Sequence, residues 1–286
     1  MRSSALRRAL RTVLCGALLL FGSSVHAEEA PERKAFRVCS DPANLPFSNE
    51  AGEGFENRIA ELLAARLGLP LEYYYFPQRI NFVRNTLRFK LPSEDYRCDI
   101  IIGVPVGFEQ VAATGAYFRS TYALVYAKGR KLDGVQSAQD LLALGERLKS
   151  LRIGVYDRSP ATAWIAYHGL VDSGVPYRML NARPDFYPGE ILEKDLVAGE
   201  IDAAIVWGPV AGFAARRVTG AELVVVPLKS EPGVKFDFAV AMGVRFGEAA
   251  WKQTIETLIA ENQAQILQIL REYRVPLVDE NGNPVP

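Results

Sequence analysis

The sequence predicts an α/β protein of two lobes, each a mainly parallel sheet flanked by helices, with two strands crossing between the lobes. Three observations predict it. Strand-length apolar runs alternate with amphipathic helical stretches from end to end, the pattern parallel sheets produce. The alternation divides into two βαβ sets after Lys128-Gly129. A late apolar run, 238–243, can return beside an early one, 122–127, so the chain crosses twice. The division expected is residues 28–125 for lobe 1, 126–238 for lobe 2, and 239–286 for a return strand and a C-terminal helix packing back toward lobe 1. Lobes of that size match ordinary domains of about 100–150 residues.

Residues 1–27 are read as a leader. Arg2, Arg7, Arg8 and Arg11 make a basic start, Val13 to Phe21 is an apolar run too short to anchor in a bilayer, and Val25-His26-Ala27 offers a cleavage site. Export to the periplasm follows, and no later stretch is apolar enough for membrane insertion. The leader takes four arginines and no acid with it, so 33 basic residues fall to 29 against 33 acidic ones, a net charge of −4. Nucleic acid, which needs a basic face, is an unsuitable partner.

The elements follow in order. Phe36–Ser40 is a strand. A helix near 53–67 turns Phe55, Ile59, Leu62, Leu63 and Leu67 to one face and stops at Gly68, with Pro70 beyond. Residues 71–76 form a strand, 80–90 a helix, and 99–103 a central strand, continuous in apolar residues. The second set opens with short helices over 137–149 and a strand at 152–156. Ser159 and Pro160 are placed as N-cap and first residue of a helix running to His168. Then come a strand at 177–180, a helix near 188–198, a strand at 203–207, a helix to Arg217 and a strand at 223–227. One long helix, Glu248 to Tyr273, closes the chain on a stripe that includes Trp251, Ile255, Leu258 and Ile266.

Without the leader only Cys39, Cys98 and His168 remain of the cysteines and histidines. An even pair of cysteines in an exported chain reads as a disulfide, the alternative being two buried thiols. Cys39 ends the first strand and Cys98 precedes the strand at 99–103, so neighbouring parallel strands would bring them together. One histidine excludes a multi-His zinc site, no G-x-S-x-G elbow accompanies it, and no glycine-rich phosphate loop occurs. No catalytic residue, metal site or cofactor is therefore expected, and His168 reads as structural or surface.

Pro46-Phe47 and Gly54-Phe55-Glu56, the strand 99–103 with its following loop, and Gly199-Glu200-Ile201-Asp202-Ala203 resemble the periplasmic solute-binding proteins of the amino-acid-binding type, which have a type II two-lobe fold that closes over a ligand. In that family a Glu-Arg pair clamps the ligand carboxylate and a second-lobe aspartate holds its ammonium. The aligned positions here are Glu109-Gln110 and Trp207. Gln110 brings no charge and no guanidinium fork, and the Trp207 indole can only donate. A free amino acid is thus an unsuitable ligand.

A narrower likeness covers the whole chain after the leader. Cys39-Ser40-Asp41-Pro42, Asn44-Leu45-Pro46-Phe47-Ser48-Asn49, 52–57, 98–105 and 205–212 resemble the quinoprotein-dehydrogenase-associated binding proteins, the MoxJ/XoxJ group. The resemblance implies a periplasmic, non-catalytic accessory that assists maturation or activation of a partner, a pyrroloquinoline-quinone (PQQ)-dependent alcohol dehydrogenase, in methanol or other alcohol oxidation. It leaves two alternatives. One is a receptor delivering a small ligand other than an amino acid to an ABC importer. The other is a dehydratase-like enzyme on the same fold, for which Asp41, Glu56, Glu109 and Asp157 are the available acids.

Candidate cleft residues are Asn44, Phe47, Pro105, Gln110, Ser159, Thr162 and Trp207. Trp207 follows the C-terminal end of a strand, where crevices form in open α/β sheets, and either lines the cleft or plugs it. Ser159 and Thr162 open a helix whose free N–H groups can meet a ligand or simply be capped. Asp41, Asn44 and Asn49 either meet ligand or form Asx turns. A cleft so poor in charge suits an aromatic molecule, a small alcohol-related compound or a partner's peptide segment.

Overall fold

The computed structural model describes residues 33–78, 80–179, 183 and 185–285. The leader expected at 1–27 lies outside the described residues. The chain opens with β1 (Phe36–Ser40), a small hairpin β2 (Ala43–Asn44) and β3 (Ser48–Asn49), then α1 (Phe55–Leu67), β4 (Leu71–Tyr75) and the single turn α2 (Phe82–Asn85). Next come β5 (Ile101–Pro105), β6 (Ala112–Ala113) and the ten-residue β7 (Phe118–Ala127). The second set holds α3 (Ala138–Leu142), α4 (Glu146–Lys149), β8 (Ile153–Tyr156), α5 (Pro160–Tyr167), β9 (Gly174–Tyr177), β10 (Ala203–Trp207), α6 (Gly208–Arg217) and β11 (Leu223–Pro227). β12 (Asp237–Val244), α7 (Ala249–Glu261) and α8 (Gln263–Glu272) complete it.

The parallel parts are β4-β1-β5, the last step made by a Val38–Ile100 bridge, and β9-β8-β10. Everything between them is antiparallel: β5-β12-β7-β10, with β11 on the other edge of β7. β7 serves both lobes. Along its second half alternate side chains enter two separate cores, Leu124 and Tyr126 on one face, Ala123, Val125 and Ala127 on the other. β5 also contributes to two cores in the first lobe, Ile102 to the one that holds α1 and Ile101 and Val104 to the one that holds the disulfide.

Several expectations are corrected in register. Residues 238–243 do not pair with 122–127; β12 pairs with the first half of β7, Asp237 opposite Thr121 and Val240 opposite Phe118. The second half of β7 is occupied on both edges by β10 and β11, which pair its buried backbone N–H and C=O groups. The polar start of β7 stays in the sheet because Arg119 Nη1 pairs with Asp237 Oδ2 at 2.7 Å on the neighbouring strand. The strand expected at 177–180 is β9, three residues earlier, and the helix near 188–198 is a π-helical segment, Ile191–Leu196. The helix expected over 80–90 is only α2. The long final helix is broken at Asn262, whose Nδ2 donates to Leu258 O at 2.8 Å while its Oδ1 accepts from Arg66 Nε on α1 at 2.7 Å. His168 is structural: its ring packs 4.6 Å from that of Trp164, and both side chains meet Glu231.

The Gly-Phe-Glu-Asn start of α1 shows how a short motif builds a corner. Gly54 is required because a Cβ there would overlap the Phe47 carbonyl. Phe55 packs edge-on against Phe47, Phe118 and Tyr273, with centroids 5.3, 6.3 and 5.9 Å away. Asn57 Oδ1 accepts from the N–H groups of Gly54 and Asn49, both at 3.1 Å, capping the helix from within. Glu56, between them, points elsewhere.

Cys39 and Cys98 are joined, Cα–Cα 5.3 Å, across adjacent β1 and β5. Closing the intervening 59-residue loop contributes about 4 kcal/mol in the chain-entropy account. Beside the disulfide lies Asp99, its side chain only 1% exposed. Its carboxylate accepts from Arg37 Nε and Nη2 at 2.8 and 3.1 Å and from Arg245 Nη2 at 2.5 Å, with Arg33 at 3.7 Å. Arg245 also donates to the carbonyls of Leu87 and Cys98, and the Trp251 indole donates to Asp99 O at 3.2 Å. The cluster ties β1, the end of β12 and α7 together. Asp99→Ala, which strands the arginines in a buried site, is expected to lower unfolding free energy by about 3–5 kcal/mol, read from urea denaturation midpoints.

Candidate functional site

Between the two sets of elements lies a cavity of about 470 Å³. One wall comes from the first lobe: the β1–β3 loop with Asp41, Asn44 and Phe47, the first turn of α1 with Glu56, and the end of β5 with Pro105. The floor comes from the crossing strands, Phe118 and Tyr122 on β7 and Phe238 and Val240 on β12. The far wall is Trp207 at the end of β10, Tyr156 at the end of β8, Pro160 and Phe186. Both strand ends are carboxyl ends, where crevices open in α/β sheets.

The structure brings Asn44, Phe47, Pro105 and Trp207 to this one cavity. Trp207 stands opposite Tyr122 in the β10–β7 register, and its ring lies 5.5 Å from Tyr122 and 6.0 Å from Phe238. Gln110 lines a smaller adjoining pocket of about 180 Å³, with Gln78, Phe82 and Phe108. Ser159 and Thr162 spend their hydroxyls on Tyr156 O, at 2.6 and 2.8 Å, and Ser159 occupies the N-cap position of α5 without a side-chain cap. They brace the turn that presents Tyr156 and Pro160. Asp41 makes an Asx turn, Oδ1 accepting from Ala43 N–H at 2.8 Å, and still lines the cavity. Asn49 is bound to Glu53 at 2.8 Å on both side-chain atoms.

Sequence reasoning placed Glu56 among the acids available to the dehydratase-like alternative, not among the cleft residues, and it overlooked Tyr122, Tyr156, Phe186 and Phe238. The carboxyl of Glu56 lies over Gly103 of β5, where a Cβ would overlap its Oε1. Burial, and secondarily the neighbouring Asp41, push it up to about 8. Among the described residues its carboxyl has no hydrogen bond and no ion pair, and no Lys, Arg or His lines the cavity. The signal available in the sequence was an acid at the second helical position of α1, flanked by Phe55 and Asn57, both committed to the interior.

No family model matches the chain. The crystal structure of the periplasmic binding protein XoxJ from Methylobacterium extorquens AM1 is 37% identical, covers 86% of this chain and all of its own, and superposes with a TM-score of 0.69. The chain belongs to the MoxJ/XoxJ family of periplasmic binding proteins. Another member, MoxJ of Paracoccus denitrificans, is 28% identical over 284 residues, 93% of this chain and 96% of its own. The structure of MxaJ from Methlophaga aminisulfidivorans MPT, at 22% identity and a TM-score of 0.71 over 85% of this chain and all of that one, shares the fold. In this MoxJ/XoxJ protein the cleft thus has an acidic wall in one lobe and an aromatic wall in the other.

The state of Glu56 is measurable. The folded protein holds its proton to about 8, the unfolded chain only to 4.5. The folded state therefore binds more protons between those values, and stability falls as pH rises through that window. Glu56→Gln should remove the fall, so the stability gained by the variant widens between about pH 5 and pH 8. A carboxyl 13C resonance assigned to Glu56 should titrate near 8; a midpoint near 4.5 would refute the assignment.

Proposed function

We propose that this protein is a non-catalytic periplasmic accessory of a PQQ-dependent alcohol dehydrogenase in a methanol-oxidation system, aiding its maturation or activation through the interlobe cleft. The observation that carries the reading is the 37% identity to XoxJ over 86% of the chain. The cleft supports it from the other side. The two positions that would grip an amino acid hold Trp207, in an aromatic wall, and Gln110, in an adjoining pocket. With no cation along the described lining, a ligand carboxylate has no counter-charge. The lobes as divided at 28–125, 126–238 and 239–286 would move as rigid bodies about β7 and β12.

A second reading, a receptor for an ABC importer, is favoured by one feature: the cavity volume of about 470 Å³ lies in the ordinary small-molecule range of roughly 300–1,000 Å³. Capture from periplasmic extract separates the two. The immobilised protein, at low salt with PQQ supplied, is expected to enrich a quinoprotein dehydrogenase, and a double Trp207→Ala, Phe238→Ala variant to enrich about tenfold less, a loss of the size two central aromatic anchors give. Capture of a permease complex, with the dehydrogenase absent, would overturn the accessory reading.

A further inference from the structure

The cleft pairs two features that belong to one class of ligand. On the first-lobe wall, Glu56 presents a carboxyl that nothing in the described protein neutralises or hydrogen-bonds. Facing it from β5 is Gly103, whose missing side chain leaves the carboxyl its place. The titratable groups packed round it are Asp41 from the β1–β3 loop, Tyr73 from β4 and Tyr117 ahead of β7. Both phenols are pushed above their usual range by burial first, with the Glu56 charge adding to it, so they stay neutral and supply no counter-charge. Asp41 supplies more negative charge, and its own oxygens accept the N–H groups of Ala43 and Gln78, both within 2.8 Å.

On the opposite side the surfaces are ring faces and edges. Trp207, Tyr122 and Phe238 form a contiguous aromatic set with centroids 5.5 to 6.4 Å apart, continued by Tyr156 and Phe186 at 6.4 Å from each other. Phe238 already carries a cation, Lys235 Nζ at 5.3 Å from its centroid, which leaves Trp207 and Tyr122 as the uncommitted rings. Aromatic faces attract cations through their quadrupole, most strongly where water is excluded. Ligand carboxylates and phosphates find no guanidinium or ammonium along the described lining, and a zwitterion would be satisfied at one end only.

We propose that the cleft binds a small organic ammonium ion that lacks a carboxylate, its charge held between the Glu56 carboxylate and the rings of Trp207 and Tyr122. The proposal rests on the reading of the cleft as a binding site and names what it takes. Binding releases the proton that the empty site keeps on Glu56, so affinity weakens as pH falls below about 8.

Choline and its uncharged carbon isostere, 3,3-dimethylbutan-1-ol, test this by calorimetric titration of the purified protein. Neither titrates near neutral pH, so any pH dependence belongs to the protein. At about pH 8.5 choline is expected to bind roughly tenfold or more tighter than the alcohol, and to lose about tenfold of its affinity by about pH 6.5. Glu56→Gln should abolish the pH dependence and cut choline's advantage over the alcohol severalfold, leaving only the part that the rings supply. Trp207→Leu should weaken choline more than the alcohol. Equal or tighter binding of the alcohol, choline binding that Glu56→Gln leaves intact, or no binding of either probe overturns the proposal. None of these outcomes bears on dehydrogenase capture, so this inference and the accessory reading fail separately.

Discussion

The antiparallel pairing of β7 with β12 is the constraint on which the rest of the molecule hangs. β7 runs unbroken through both lobes, its first half bonded to β12 and its second to β10 and β11. Three side-chain contacts pin it where the lobes meet: Arg119 on Asp237, Ser120 Oγ donating to Pro276 O at 2.6 Å, and Thr121 Oγ1 donating to Leu228 O at 2.5 Å. Since residues on one face of a strand recur every second position, Phe118 and Tyr122 rise from one strand, and Phe238 and Val240 from its neighbour, into the same cavity. The cleft floor is therefore fixed to the same framework that joins the lobes.

Two acids in the first lobe show opposite treatments of buried charge. Asp99 is enclosed by Arg33, Arg37 and Arg245, and its charge is an organising centre. Glu56 has no charged partner of opposite sign among the described residues, so burial and the neighbouring Asp41 act on it in the same direction. The first arrangement holds a structure together. The second keeps a polar group poised at a surface a ligand can reach, which is a recognised mark of functional sites.

Much of this was legible in the sequence. Continuous apolar runs located β5, β8, β10 and β11, the spacing of Cys39 and Cys98 anticipated their bond, and the departures at Gln110 and Trp207 are plain from residue identity alone. What was not legible depended on partners distant in the chain. The register of β12 is decided by which edges of β7 remain open, and the break at Asn262 by Arg66 on another helix. Glu56 was named only as one of four acids and not as a cleft residue, because its meaning lies in what does not surround it. By sequence Ser159 and Thr162 could equally meet a ligand or cap their helix; their hydroxyls bond instead to the nearby carbonyl of Tyr156, a partner set by the turn before the helix.

The order in which the chain becomes available has a consequence for how the protein forms. The two cores of the second lobe draw on residues 122–236, apart from partial packing by Phe47, and are complete once that stretch has been made. The first lobe's main core needs Phe36 and Phe55 from one end of the chain and Met242, Trp251, Ile266 and Leu277 from the other. Contacts so far apart in sequence form slowly, because a long loop must close before they contribute. During synthesis the lobe that begins first is therefore finished last, and the apolar face of α1 is not fully covered until α7 and α8 arrive. That interval is when the molecule is most open to aggregation or to a chaperone.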